Sequence, residues 1–179
     1  MKYVALLRGI NVGGNNMIKM ERLRETVVGL GFENVKTYIN SGNVIFDAKK
    51  TDDKKLAVKI HAAILADFGF DISVMVRSIA EINELIASNP FEGQFESHKD
   101  MHLFFLNEEL TAEQQALLLG QANENEMFAF IDRHILCLLK ISILDSVVGK
   151  GFIDKKLKVA TTARNWRTVN KILEMSQTL

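Results

Sequence analysis

Three segments of the sequence are rich in glycine, hydroxyl groups, neutral amides or arginine and poor in acidic residues. Such segments offer hydrogen-bond donors and close access to the backbone without negative charge, which suits an anionic ligand. They supply the candidate ligand-binding residues: Arg8, Asn11, Gly13 and Gly14 from the first segment, Ser41 and Asn43 from the second, and Thr162, Arg164 and Asn165 from the third.

The first segment is a loop between Gly9 and Lys19. Consecutive backbone amides in such a loop can form a concave nest for an anion, and a helix that begins near Met20 would add the positive end of its dipole. Arg8 and Lys19 would add charged donors. The alternative is a connecting loop whose glycines and asparagines accommodate unusual backbone angles. The loop matches neither the P-loop nor the dinucleotide-binding fingerprint.

The second segment, Ser41-Gly42-Asn43, has the composition of a tight turn between two strands. The requirements of a tight turn are sufficient to explain this composition. Asn40, Ser41 and Asn43 would also place neutral donors at one end of a sheet, and the sequence does not tell whether that end is the one where the opening loop lies.

The third segment, ATTARNWRTVNKILEM, is predicted to form a helix over 163–174 with Thr161 or Thr162 as its N-cap. Arg164 and Arg167 on its basic side could hold a phosphate. Cations at a helix start are unfavourable unless an anion is near, which draws attention to Arg164. Trp166 is interpreted as a core anchor, with stacking on a base as the alternative.

Other catalytic patterns do not emerge from the sequence, so no catalytic residue is assigned. The serine, histidine and aspartate in Glu96–Asp100 are neighbours along the chain, and such neighbours rarely form a triad. Cys137, the single cysteine, lies among apolar residues and is expected to be a buried, inert thiol. No metal site and no cofactor are expected, because the histidines have no paired ligand spacing: His61, His98, His102 and His134.

Composition limits the partners of the chain. The 179 residues carry 22 basic and 22 acidic side chains, so no overall field attracts nucleic acid or anionic lipid. No apolar stretch approaches the roughly 20 residues that a membrane span requires. Arg8 ends the first apolar run too early for a signal peptide. A cytoplasmic protein without a membrane partner is expected, and its oligomeric state is left open.

Hydrophobic periodicity predicts an α+β protein with antiparallel sheets. The first part reads β-α-β-β-α-β, the ferredoxin-like order, with the first and third strands central. The second reads β-α-β-β-α without a last strand, which makes a weak topological repeat and no sequence repeat. Subdomains are predicted at 1–78 and 79–179, with a boundary near 88–100. Strands are expected at 3–7, 35–40, 43–47, 72–76, 102–106, 127–131 and 135–139, and helices at 20–30, 56–68, 79–87, 112–122, around 143–148 and at 163–174.

The segments LLRGINVGGNN, TYINSGNVIF and TTARNW, in this order, resemble the bacterial family called domain of unknown function 1697. The resemblance extends over nearly the whole chain and implies a small cytoplasmic α+β protein with a ferredoxin-like subdomain. It implies no activity, cofactor or substrate. Family members commonly carry a lysine in the glycine loop, where this chain has Asn15 and Asn16. The motif positions are Arg8, Gly9, Asn11, Gly13, Gly14, Ser41, Gly42, Asn43, Thr162, Arg164, Asn165, Trp166 and Thr168.

Three functional hypotheses follow. The first is a binding protein whose three segments converge on one phosphate-bearing small molecule or a short RNA, although the aromatic pattern of an RNA-binding sheet is missing. The second is a group-transfer enzyme in which Arg8 and Arg164 stabilise negative charge, which requires a titratable residue such as Asp47 or His102 beside them. The third is a structural module that pairs through its sheets.

Overall fold

The first part of the chain folds in the predicted β-α-β-β-α-β order. The computed structural model describes residues 1–178 and contains two four-stranded antiparallel sheets, which confirms the α+β class. An additional helix follows the fourth strand. The elements are β1 (Lys2–Leu7), α1 (Met20–Val28), β2 (Glu33–Tyr38), β3 (Asn43–Asp47), α2 (Asp53–Phe68), β4 (Val74–Ser78) and α3 (Ile79–Ala87).

The first sheet has the strand order β2-β3-β1-β4, with β1 and β3 central as predicted. Residues of β1 are buried on both faces, with Val4 and Leu6 on one and Ala5 and Leu7 on the other. The helices α1 and α2 pack on the face that includes Ala5 and Leu7, where Leu23 contributes to the core. The uninterrupted apolar run at the start of the chain therefore forms a doubly covered strand.

The second part of the chain contains β5 (Met101–Leu106), α4 (Ala112–Leu119), β6 (Glu126–Ile131), β7 (His134–Leu139), a short π-helix (Ile153–Leu157), β8 (Thr161–Asn165) and α5 (Trp166–Gln177). Its sheet has the order β6-β7-β5-β8. This order repeats that of the first sheet, because β5, β6, β7 and β8 take the places of β1, β2, β3 and β4.

The prediction of a helix over 163–174 with a threonine cap was wrong at its start. Thr161 and Thr162 belong to β8, which pairs antiparallel with β5 and supplies the last strand that the sequence reading lacked. β-branched threonines fit an extended strand well. The helix α5 begins at Trp166, and the cap is Asn165, whose Oδ1 accepts a hydrogen bond from the Thr168 amide at 2.9 Å.

The helix predicted around 143–148 is also absent from the described chain, where residues 143–151 form turns. Serine side chains compete there for the backbone groups that a helix would use. The Ser146 hydroxyl donates to the Ile143 carbonyl at 2.6 Å and accepts from the Gly149 amide at 3.0 Å. The π-helix that follows occupies the place in the order where the first part has α2.

A buried arginine marks the junction between the last strand and the last helix of each part. RSIAEIN begins at Arg77 and RNWRTVN begins at Arg164. Both arginines are buried and pair with equivalent positions, Val4 and Leu103, on the central strand. Their Nη1 atoms donate to the carbonyl of the preceding residue at 2.8 Å and 2.7 Å, respectively. The two junctions are therefore equivalent in topology and in the placement of this arginine.

The chain divides into two compact units. The first unit contains Met1–Glu84 together with the described residues from Lys171 onward, and the second contains Leu85–Asn170. Each unit holds one of the two sheets, so the predicted site residues before position 84 belong to the first unit and those after position 160 to the second.

Replacing Gly42 by alanine should destabilise the first unit strongly. Gly42 has a φ of +80°, and an added Cβ would lie 2.7 Å from the Leu7 Cβ and 2.8 Å from the Ile10 Cδ1. The backbone strain and the overlap together should lower the free energy of unfolding by about 2–4 kcal/mol, measured by urea denaturation.

Gly69→Ala is the matched control, because Gly69 has a φ of +71° and open space around the added Cβ. Strain alone should cost this variant about 1 kcal/mol. Equal losses in the two variants would contradict the close approach at Gly42.

Candidate functional site

The opening loop and the hairpin turn meet in the first unit. The Asn11 side chain donates from Nδ2 to the carbonyls of Ile18 and Asn40, both at 2.9 Å, and its Oδ1 accepts from the Ile18 amide at 2.8 Å. Asn11 therefore closes the loop on itself and ties it to the turn that contains Ser41. The opening loop and the hairpin turn therefore lie next to each other, a placement that the sequence alone does not determine.

Two more amide side chains of these segments, those of Asn16 and Asn43, also hold the local backbone. The Asn16 Nδ2 donates to the Gly9 carbonyl at 3.1 Å. Asn43 is fully buried, and its Nδ2 donates to the Tyr38 carbonyl at 2.9 Å and to the Ser41 hydroxyl at 3.1 Å. Gly13 and Gly14 adopt positive φ values of 58° and 79° at the exposed tip of the loop. Ligand binding by this loop stays a prediction.

The three candidate residues of the second unit lie on different faces of β8. Side chains alternate along a strand, so Thr162 and Arg164 share one face and Asn165 lies on the other. Arg164 is buried, and its Nη1 donates to the Thr162 hydroxyl at 2.8 Å. Burial lowers the pKa of the Arg164 guanidinium to about 10. Arg164 is therefore part of the interior, whereas Asn165 is exposed.

Asn165 lies at a cleft of about 510 Å³ at one end of the second sheet. β5 runs antiparallel to β7 and to β8, so the start of β5 lies beside the ends of both neighbours. This pairing brings together the loop before β5, the first residues of β5, the segment after β7 and the end of β8. The residues that line the cleft are Lys99, Asp100, His102, Lys140, Ile141, Ser142, Ile143 and Asn165.

His102 is the buried polar residue of this cleft, with an exposed fraction of 8%. It pairs with Cys137 on β7 and with Asn165 on β8. Its Nδ1 is buried and has no hydrogen-bond partner among the described residues. Burial lowers the pKa of the imidazole, and the nearby Asp100 carboxylate opposes this effect in part. A buried polar atom in this state needs a water molecule or a ligand group as its partner.

A second cavity, of about 380 Å³, adjoins the cleft. Lys99 and Asn165 line both spaces, so they form the wall that the two share. Arg167 lies in the first turn of α5, where the positive end of the helix dipole disfavours a cation unless an anion is near. The residues that line the second cavity are Glu96, Ser97, His98, Lys99, Asn165 and Arg167.

Basic groups outnumber acidic groups around the two spaces. Lys99, Lys140 and Arg167 are the permanent cations of the lining, and Glu96 and Asp100 are its carboxylates. The local charge is therefore positive in a chain whose formal net charge is zero, and protonation of a lining histidine would raise it further. The site has the electrostatic character of a weakly cationic cleft.

The first unit has a tyrosine at the position equivalent to His102. The register aligns Tyr3 with His102, because Tyr3 pairs with Ser78 as His102 pairs with Asn165. The Tyr3 hydroxyl donates to the Thr51 carbonyl at 3.1 Å and accepts from the Thr51 amide at 3.2 Å. The cavity lined by Tyr3 and Ser78 measures about 180 Å³. The second unit therefore has a larger opening and an unsatisfied ring at the equivalent position.

Among the residues of this cleft, the sequence suggests Asn165 as a ligand-binding residue and His102 as a possible titratable group of the enzyme hypothesis, and it suggests no role for Lys99, Asp100 or Lys140. Two features of the sequence could have pointed to this cleft. The polar run Glu96–Asp100 comes directly before β5, and Lys140 comes directly after β7. Antiparallel pairing of those two strands places both signals at the same sheet end.

Four further expectations concern other features of the chain. Cys137 is buried as expected, and burial raises the pKa of its thiol well above the ordinary value, which disfavours the reactive thiolate. Trp166 is buried and contacts Phe95 edge to face at 6.3 Å, which confirms its role as a core anchor. Within residues 1–178, no group of three or more His, Cys, Asp or Glu side chains is placed to hold a metal ion. In the same range no helix is long and apolar enough to cross a membrane.

Comparison with known proteins identifies relatives of the chain. A family model described as "Protein of unknown function (DUF1697)" matches residues 1–136. A solved structure, described as that of conserved bacterial protein SP0830 from Streptococcus pneumoniae, is 25% identical in sequence. The alignment covers 98% of each chain with a TM-score of 0.79. No curated protein matches the sequence.

Burial of His102 should make the stability of the protein sensitive to acid. The pKa of His102 is below 6.5 in the folded chain, so the unfolded chain binds more protons as the pH falls through that value. The contribution of His102 to stability is complete above pH 6.5 and is lost as the pH falls through the lowered pKa. His102→Gln should therefore lose less stability than the wild type between about pH 7.5 and pH 5, measured by urea denaturation. His98→Gln, at an exposed position, is the control, and an unchanged acid sensitivity in His102→Gln would contradict the burial of a neutral ring.

Proposed function

The chain belongs to the DUF1697 family of proteins of unknown function, and we propose that it binds a small phosphate-bearing ligand in the cleft of its second unit. The proposed phosphate contacts are Lys99, Lys140, His102 and Asn165. Asn165 is the one residue that these contacts share with the ligand-binding candidates from the sequence.

The observation that carries this proposal is the buried Nδ1 of His102. A buried polar atom without a partner destabilises a protein by about 1–3 kcal/mol. In the first unit the equivalent position holds Tyr3, whose hydroxyl makes two hydrogen bonds with Thr51. The second unit instead has an imidazole nitrogen without such a bond, in a residue that lines an open cleft, and this supports a site for an external partner.

The chemistry of the lining favours phosphate as that partner. Lys99 and Lys140 provide ammonium donors, Asn165 an amide and His102 an imidazole that can protonate. Asn165 also caps α5, so the positive end of this twelve-residue helix lies beside the amide. The Asp100 carboxylate repels an anion but favours the protonated form of His102, which attracts one.

A small molecule fits these observations better than RNA. Affinity for RNA depends on several basic side chains that follow the phosphate backbone, and on exposed aromatic rings that stack with bases. The exposed large hydrophobic residues within the described chain are aliphatic or methionine. The cleft has the volume of an ordinary small-ligand site.

Binding, rather than group transfer, is the function that these groups support. His102 and Asp100 could move a proton, but the arginine-stabilised anion site of the enzyme hypothesis does not coincide with them, because Arg164 is not among the cleft-lining residues.

Titration with inorganic phosphate, followed by calorimetry, tests the proposal. We expect a dissociation constant on the order of 1 mM, which corresponds to about −4 kcal/mol. Lys140→Ala should weaken binding by about three- to tenfold because it removes a charged donor. His102→Tyr, which copies the first unit, should occupy part of the cleft and remove the imidazole, and should therefore weaken binding by about tenfold or more.

Lys156→Ala is the matched control, because Lys156 is an exposed lysine of the second unit outside the cleft lining. It should bind phosphate like the wild type. Absence of binding to the wild type at about 20 mM phosphate, a concentration far above the expected constant, would contradict the proposal. Equal affinities of His102→Tyr and the wild type, with both folded, would contradict the location of the site.

A further inference from the structure

We infer that the ligand is a phosphate monoester whose carbon part carries several hydroxyl groups, with the phosphate in the cleft and the hydroxylated part in the adjoining cavity. This inference rests on the proposed function and extends it to the class of ligand. Sugar phosphates and the ribose phosphate part of nucleotides share this chemistry.

The geometry provides two adjoining spaces that have lining residues in common. The cleft of about 510 Å³ and the cavity of about 380 Å³ share Lys99 and Asn165 as wall residues. A ligand held at the shared wall can therefore extend into both spaces. Inorganic phosphate alone would leave the adjoining cavity to water.

The chemistry of the adjoining cavity differs from that of the cleft. Glu96 contributes a carboxylate, which only accepts hydrogen bonds at neutral pH, and Arg167 contributes a guanidinium, which only donates them. Ser97 and His98 can do either. A hydroxyl group both donates and accepts, so a group with several hydroxyls can use such a mixed lining fully.

Other ligand parts fit this cavity less well. A second phosphate would meet the Glu96 carboxylate as well as Lys99 and Arg167, so part of its attraction to the two cations would be lost. An aliphatic chain would remove water from charged side chains without replacing its hydrogen bonds. The mixed polar lining therefore favours a hydroxylated group.

The test compares inorganic phosphate with ribose 5-phosphate and adenosine 5′-monophosphate by calorimetry. We expect the wild type to bind ribose 5-phosphate at least about tenfold more tightly than phosphate, since a few hydrogen bonds to hydroxyl groups supply this gain. Glu96→Gln should lose most of this gain and should bind inorganic phosphate at least as well as the wild type, because it removes a negative charge near the anion.

Adenosine monophosphate that binds more tightly than ribose 5-phosphate would identify a nucleotide as the source of the sugar phosphate, and equal or weaker binding would identify a free sugar phosphate.

The controls separate this inference from the proposed function. Glu124→Gln changes an exposed carboxylate of the second unit outside both spaces and should retain the gain. Equal affinity of the wild type for phosphate and ribose 5-phosphate would overturn the inference and leave phosphate binding intact. A gain that survives in Glu96→Gln would also overturn it. Failure of all three compounds to bind would overturn the proposed function itself.

Discussion

A buried imidazole nitrogen without a partner is the constraint on which this account depends. Protein interiors rarely leave such atoms unsatisfied, and the His102 Nδ1 is buried at the wall of a cleft. At the equivalent position the first unit has Tyr3, whose hydroxyl makes hydrogen bonds with the backbone carbonyl and amide of Thr51. Two units with the same strand order thus differ at equivalent positions: Tyr3 is hydrogen-bonded beside a cavity of about 180 Å³, whereas His102 lines a cleft of about 510 Å³.

Strand pairing, rather than closeness along the chain, assembles the cleft. Lys99, His102, Lys140 and Asn165 come from separate parts of the sequence, and they meet because β5 lies antiparallel between β7 and β8. The last strand is essential to this arrangement, since it ends at Asn165 and places the start of α5 beside the cleft. The same end of the first sheet receives Tyr3 and Ser78 by the same pairing.

The sequence predicts the first unit more completely than the second. Periodicity and glycine positions were sufficient there, because the strand at the start of the chain is apolar on both faces and the helices have clear ends. In the second unit, Thr161–Asn165 contains threonines that suit either a helix cap or a strand, and pairing with β5 decides between them. The cleft depends on that pairing, so the sequence suggests Asn165 as a ligand-binding residue and His102 only as a titratable group of the enzyme hypothesis. The equivalence of Arg77 and Arg164 becomes visible once both segments are known to be strand ends.

Nitrogen NMR of the His102 imidazole tests the central claim most directly, because it observes the unsatisfied atom itself. Long-range proton–nitrogen spectra of the wild type, recorded with increasing inorganic phosphate, should show saturable shifts of the His102 ring nitrogens, with His61 of the first unit unaffected. His102 signals that stay unchanged at about 20 mM phosphate, well above a dissociation constant on the order of 1 mM, would contradict the account.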